Sequence, residues 1–321
     1  MIAAAKSVVL LWTNEAGVYQ DAVARAGLGE RVELHACKLG QEPPADLLAR
    51  CEGMLAWRAA PGLLPRTTAL RWIQALTGGV EGWLALPDLP ERVTLTCARG
   101  THRSSMPENI LGALFHLTKP YAAITIDQRD RRWTRRVSEP LAGKTLGILG
   151  LGAIGGEVAK KAAALELRVL GVRRSPEPMP GVDRVYGPAQ APEVLAQSDY
   201  VLLLLPSTAE TRGYMNKARL AQMKPSAYLL NFGRGDLIVD DDLVDAVRSK
   251  VISGAVLDVF RTEPLPAEHP FWVTEGITVL PHIGGMHPQR DGIVAELFVD
   301  NLRRFLDGRP LLEVVDRARG Y

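Results

Sequence analysis

Three side chains, far apart in the chain, have the types needed to reduce a carbonyl. Arg234 stands between two glycines in NFGRG (231–235), Glu263 ends LDVFRTE (257–263), and His282 lies in PHIGG (281–285). Hydride transfer to a ketone leaves an alkoxide that must take up a proton, and an imidazole can donate one near neutral pH. A carboxylate beside the imidazole orients the ring and favours its protonated form. A guanidinium polarises the ketone oxygen and grips a neighbouring carboxylate with its fork. Taken singly, each residue has a plainer explanation: a hydrogen-bonded loop histidine, a glutamate in a proline turn, an arginine at a strand end. Their joint occurrence with the nucleotide loop described next favours chemistry. Cys37, Cys51 and Cys97 form no CxxC pair, so neither a metal site nor a disulfide framework is expected.

Residues 145–156 read TLGILGLGAIGG, an apolar run followed by G-x-G-x-x-G. Gly150 permits a tight turn, Gly152 lets backbone approach a diphosphate, and Gly155 lets the following helix pack close to the strand. The N–H groups of Gly152, Ala153 and Ile154 would face that diphosphate at the positive end of the helix. About 20 positions further on, NAD-binding loops carry an acidic residue for the ribose hydroxyl. Here the second strand ends in Arg173, Arg174 and Ser175. Two guanidiniums and a hydroxyl suit a 2′-phosphate, so NADP(H) is expected over NAD(H).

These groups need a scaffold that brings them to one edge. Short apolar runs predict strands over 145–149, 168–173, 200–205, 227–231, 254–257 and 277–280, with helical segments between most of them. Asp258 and the three reactive side chains lie at or just beyond strand ends, the ligand edge of a parallel sheet. Upstream, strands are predicted over 8–12, 54–57, 73–76 and 93–96, with helical character at 20–26 and 45–50. A helix from Ser104 carries Ile110, Leu111, Leu114 and Leu117. A last helix after Pro288 carries Ile293, Leu297, Val299, Leu302 and Phe305. The expected fold is α/β, with two Rossmann-like parallel-sheet domains. A dinucleotide-binding domain (105–286) is inserted into a substrate domain (1–104 plus 287–321).

Composition sets outer bounds. Of 321 residues, 47% are apolar and 23% charged, and the formal net charge is only +2, which argues against a nucleic-acid binder. The stretch 129–136 holds five arginines and one aspartate and reads as a solvated linker or helix face, with a nucleic-acid patch the minor alternative, since only Trp133 is interleaved. The apolar runs at 8–12 and 201–205 are too short for a signal sequence or a bilayer span, so a cytoplasmic protein is expected.

On its motifs the chain resembles the D-2-hydroxyacid dehydrogenase family over nearly its whole length. They are GLGAIGGEVA (150–159), LPSTAET (205–211), NFGRGDLIVD (231–240), LDVFRTEPLP (257–266) and PHIGG (281–285). The tail VDRARGY (315–321) and the missing acidic residue after the second strand make it most similar to the glyoxylate/hydroxypyruvate reductase A branch. The resemblance implies that Arg234 binds substrate, that Glu263 and His282 form the acid/base pair, and that Asp258 contacts the nicotinamide carboxamide. Leu205, Pro206, Ser207, Phe232 and Gly233 would line the cofactor. Gly78 and Gly79 would hold the substrate carboxylate through N–H groups, with Trp57 and Arg58 nearby. It implies a homodimer and NADPH-dependent reduction of small 2-keto acids such as glyoxylate and hydroxypyruvate. The alternatives are a dehydrogenase for another D-2-hydroxy acid, or a nucleotide-sensing binding protein that retains these residues. The chain departs from the family pattern at Glu81, at Arg173, across 99–108, and at Met286 and His287.

Overall fold

A computed structural model describes residues 5–320. The chain opens with β1 (Ser7–Trp12), α1 (Ala16–Arg25), β2 (Val32–Cys37), α2 (Ala45–Arg50), β3 (Gly53–Ala56), β4 (Trp72–Ala75), α3 (Glu81–Leu84) and β5 (Thr94–Thr96). It continues through α4 (Ser105–Thr118), α5 (Tyr121–Arg129), β6 (Thr145–Leu149), α6 (Ala153–Ala164), β7 (Arg168–Val172), β8 (Arg184–Tyr186), α7 (Ala191–Gln197) and β9 (Tyr200–Leu203). Then come α8 (Lys217–Leu220), β10 (Tyr228–Asn231), α9 (Asp240–Arg248), β11 (Gly254–Leu257), β12 (Ile277–Val279) and α10 (Arg290–Leu306). Two compact units result: one runs to Thr101 and resumes at His287, and the other is His102–Met286. No helix among the described residues is long and apolar enough to cross a membrane.

The first unit is a five-stranded parallel sheet in the order β2-β1-β3-β4-β5. Its central strands are buried on both faces, which is why they read as continuous apolar runs. Helix α10 packs on this sheet through Val294, Ala295, Phe298, Val299 and Leu302. The expected stripe holds at Val299 and Leu302, which are buried, and at Phe305, which packs on the same core; Ile293 and Leu297 are only half-buried, and Phe298, which was not expected, is the centre of the contact. A polar chain is sealed beneath it. Asn301 is fully buried and donates to Gln74 Oε1 (3.0 Å) and to the Leu312 carbonyl (3.1 Å), while the Trp72 indole donates to Thr96 (2.9 Å).

The second unit is a seven-stranded parallel sheet, β12-β11-β10-β9-β6-β7-β8. Strand β6 pairs with β9 on one side and β7 on the other, so strand order reverses there and opens a crevice at the carboxyl edge. Strands β10, β11 and β12 are successive neighbours, so the loops leaving them emerge side by side, about 5 Å apart per strand. The arginine-dense stretch is less free than expected. Arg132 and Arg136 each fork onto the buried carboxylate of Asp127, Arg136 at 2.9 and 2.7 Å. Those hydrogen bonds, led by Arg136, hold Asp127 below the ordinary carboxylate range.

Candidate active site

The glycine loop has the tight backbone that its spacing implies. Gly150 has φ +112°, and a Cβ there would lie 2.7 Å from the Leu204 carbonyl group. A Cβ on Gly155 would lie 2.6 Å from the Gly150 oxygen, so the lack of a side chain lets α6 approach β6. A Cβ on Gly152 would meet nothing within 4 Å. That open space lies at the N-terminus of α6, where no side chain caps the helix. A diphosphate fits these donors without a competing group. Ala153 and Ile154 are half-buried in that first turn. Arg173 leaves the end of β7 half-buried, its own amide bound to the Tyr186 carbonyl (3.1 Å), and Arg174 and Ser175 are exposed.

Past β9, residues 205–211 form a turn tied by Thr211, whose hydroxyl donates to the Pro206 carbonyl (2.6 Å) and accepts from the Thr208 amide (2.8 Å). Leu205 and Pro206 are half-buried there, and the Ser207 hydroxyl donates to Asp236. Thr211 stood in the LPSTAET motif, but nothing in its spacing marked it as the tie of the turn.

The loop after β10 is shaped by Asn231. Its Oδ1 accepts from the Gly233 amide (3.1 Å) and its Nδ2 donates to the Arg234 carbonyl (2.8 Å). Phe232 and Gly233 are buried beneath, and a Cβ on Gly233 would press on the Leu205 oxygen at 2.9 Å. Arg234 is half-buried and donates to the Gly233 carbonyl (2.7 Å). The next residue, Gly235, touches the loop after β11 so closely that a Cβ would sit 1.9 Å from the Phe260 carbonyl carbon. That second loop carries Glu263. One of its oxygens accepts from the Phe260 amide (2.9 Å); the other is 2.6 Å from His282 Nδ1. Arginine, glutamate and histidine therefore belong to three abutting loops on one sheet edge.

His282 has φ +53°, an uncommon conformation for a residue with a side chain. Its side chain is about half exposed, 54%. Asp258 was expected to face the cofactor. Its buried carboxylate accepts from the amides of Ile283 (2.8 Å) and Gly284 (2.9 Å), the two residues that follow His282. Burial pushes the Asp258 pKa up, and those two amides oppose the rise.

The remaining candidates, Trp57, Arg58, Gly78 and Gly79, lie in the first unit. Trp57 is half-buried against the core and Arg58 is exposed. Arg290, which the sequence did not single out, places its guanidinium 4.2 Å from the Trp57 ring centre and donates to the Leu76 carbonyl. It also pairs with Asp291 at 2.5 Å. Leu76 leads into Gly78 and Gly79, where the Thr77 hydroxyl donates to the Gly79 carbonyl (2.5 Å).

A doubly wound sheet, a glycine loop that fits a dinucleotide, and an imidazole–carboxylate pair define a pyridine-nucleotide oxidoreductase. Residues 111–284 match the family model of the D-isomer specific 2-hydroxyacid dehydrogenase NAD binding domain, and the chain belongs to that family. A glyoxylate/hydroxypyruvate reductase A from Serratia proteamaculans is 33% identical over 308 residues, 92% of this chain and 95% of that protein. The crystal structure of a D-isomer specific 2-hydroxyacid dehydrogenase family protein from Aeromonas salmonicida is 31% identical with a TM-score of 0.89. The match covers 98% of this chain and all of that one. An NADPH-dependent glyoxylate/hydroxypyruvate reductase from Sinorhizobium meliloti, solved with NADP and sulfate, is 30% identical with a TM-score of 0.84. That match covers 98% of this chain and all of that one.

Proposed function

We propose that this protein reduces small 2-keto acids, glyoxylate and hydroxypyruvate among them, to 2-hydroxy acids with NADPH. The observation that carries the reading is the 2.6 Å contact of His282 with Glu263 on loops that abut the Arg234 loop. The two reductases just described support the substrate class. The second unit would serve as the dinucleotide domain and the first as the substrate domain.

In this reading Gly150, Gly152, Ala153, Ile154 and Gly155 hold the diphosphate. Arg173, Arg174 and Ser175 take the 2′-phosphate, in keeping with the NADP-bound Sinorhizobium relative. Leu205, Pro206, Ser207, Phe232, Gly233 and Asp258 line the rest of the cofactor. When bound, the nicotinamide supplies the hydride. Arg234 draws electron density toward the ketone oxygen and binds the adjacent carboxylate. His282 delivers a proton to that oxygen, and Glu263 fixes the ring so that the free nitrogen faces the reaction. Trp57, Arg58 and the Gly78–Gly79 amides complete the recognition of the acid.

A homodimer goes with this reading. Tyr121, Ile126 and Trp133 are 70%, 50% and 93% exposed on and just after α5, with Phe115 of α4 also exposed, and these apolar side chains would be available to a second copy of the chain. On the sequence grounds given above, the enzyme would act in the cytoplasm.

The test is purified protein with NADPH and a panel of 2-keto acids, followed by loss of nicotinamide absorbance. Turnover of glyoxylate or hydroxypyruvate is expected. No turnover across the panel with either nicotinamide cofactor would refute the reading.

A further inference from the structure

The strained conformation of His282 raises the question of what holds it. A residue with φ near +53° relaxes unless its surroundings over-determine it. Gly284 leaves little slack, because a Cβ there would lie 2.6 Å from Asp258 Oδ2 and 3.0 Å from Phe232. The amides of Ile283 and Gly284 are both taken by Asp258. Their carbonyls are taken from the opposite side by one amide group: Asn109 Nδ2 donates to Gly284 O at 3.0 Å and to Ile283 O at 3.3 Å. Asn109 sits one turn into α4, which is anchored by Ile110 and Leu114, both fully buried. The same turn reaches the loop a second time, where the Ser105 hydroxyl donates to the Met286 carbonyl (3.4 Å).

We propose that Asn109 is a positioning residue for the reaction, clamping the Ile283–Gly284 backbone against Asp258 so that His282 stays aligned on Glu263. The proposal rests on the reading of His282 as proton donor. The chemistry demands an amide at position 109. Two carbonyl oxygens converge on one nitrogen, which carries two N–H bonds. A carboxylate of the same shape offers only acceptors and would repel both carbonyls.

Asn109→Ala and Asn109→Asp separate this from a packing role. Both variants should bind NADPH within about twofold of the parent, since the phosphate loop is untouched. For glyoxylate, kcat should fall about tenfold in Asn109→Ala with KM nearly constant, the scale of a lost hydrogen bond. It should fall further in Asn109→Asp, although that substitution preserves shape. Hydrogen exchange at the amides of residues 283–286 should speed up about tenfold or more in both variants, with β6 unchanged. Parental kcat and parental exchange in Asn109→Asp would overturn the clamp. Exchange also decides the matter if the parent reduces no 2-keto acid: faster exchange then keeps the clamp and removes only the functional reading, and unchanged exchange removes the clamp as well.

Discussion

The two units share a parallel α/β plan but are held together differently. In the first, long side chains do the fixing. Phe298 stacks on Trp72 (centroids 5.5 Å apart, planes at 15°) and meets Tyr19 edge-on (6.0 Å, 85°), while Asn301 bonds across to Gln74. In the second, the site is fixed through backbone. Gly150, Gly155, Gly235 and Gly284 stand where an added carbon would collide, and Asp258 spends its carboxylate on two main-chain amides. One unit is therefore vulnerable to removal of atoms and the other to their addition. On the proposed function the reason would be chemical: a substrate wall tolerates rigid packing, whereas groups that bind phosphate or move a proton need backbone brought close and turned sharply.

The largest effect that would break this comparison is in the first unit. Phe298→Ala removes the centre of the aromatic stack and should cost about 3–5 kcal/mol in chemical denaturation. NADPH binding by the surviving folded protein should change little. A loss below about 1 kcal/mol would mean that the stack is not what holds this unit.

Next in size is a place in the second unit where, on the proposed function, side chains rather than backbone would decide cofactor binding. Arg173→Asp should weaken NADPH binding by about tenfold to a hundredfold, the worth of charge-assisted hydrogen bonds, and barely affect NADH. Isothermal titration with both cofactors reads this directly. Equal losses would make Arg173 a structural residue at the end of β7.

The smallest effect is in pH dependence, where two carboxylates of the second unit act with opposite sign. Burial pushes the Asp199 pKa up, but the Lys224 ammonium (2.8 Å) and the Thr145 amide (2.8 Å) outweigh it and hold the group below its ordinary value. Its stabilisation is complete above the unfolded-state pKa, about 3.9, and fades as pH falls through the lower folded value. For Asp258 burial wins and the folded pKa is raised, so its contribution is present at acid pH and is lost as pH rises through that value. Asn at position 199 should therefore cost about 1 kcal/mol at neutral pH and leave a shallower acid decline in thermal denaturation. A parallel acid decline in parent and variant would remove Asp199 from the account.

Much of the second unit could be read from sequence because its strands are buried on both faces. The observed bounds of β6 and β11 coincide with the apolar runs that predicted them. Of the four edge strands, β5 and β12 were read from sequence, but β2 and β8 were not legible. Strand β2, VELHAC, is mostly half-buried and carries no apolar run, and β8 has only three residues. Helix α5 was missed because its apolar side chains face outward and leave no one-sided stripe. Arg234, Glu263 and His282 were visible because each follows a strand, and neighbouring strands must deliver them to one edge. What holds them was not visible. The bond from Asn109 to Ile283 spans 174 positions, and no local pattern encodes it. Arg290 escaped for the same reason, since its contact with Leu76 spans 214.

The most direct measurement is the single-turnover rate of glyoxylate reduction by NADPH in the parent and in His282→Ala, with NADPH affinity determined on the same samples. The account predicts a rate about a hundredfold lower or more in the variant, with near-parental cofactor affinity. A variant that reduces glyoxylate at close to the parental rate would contradict it.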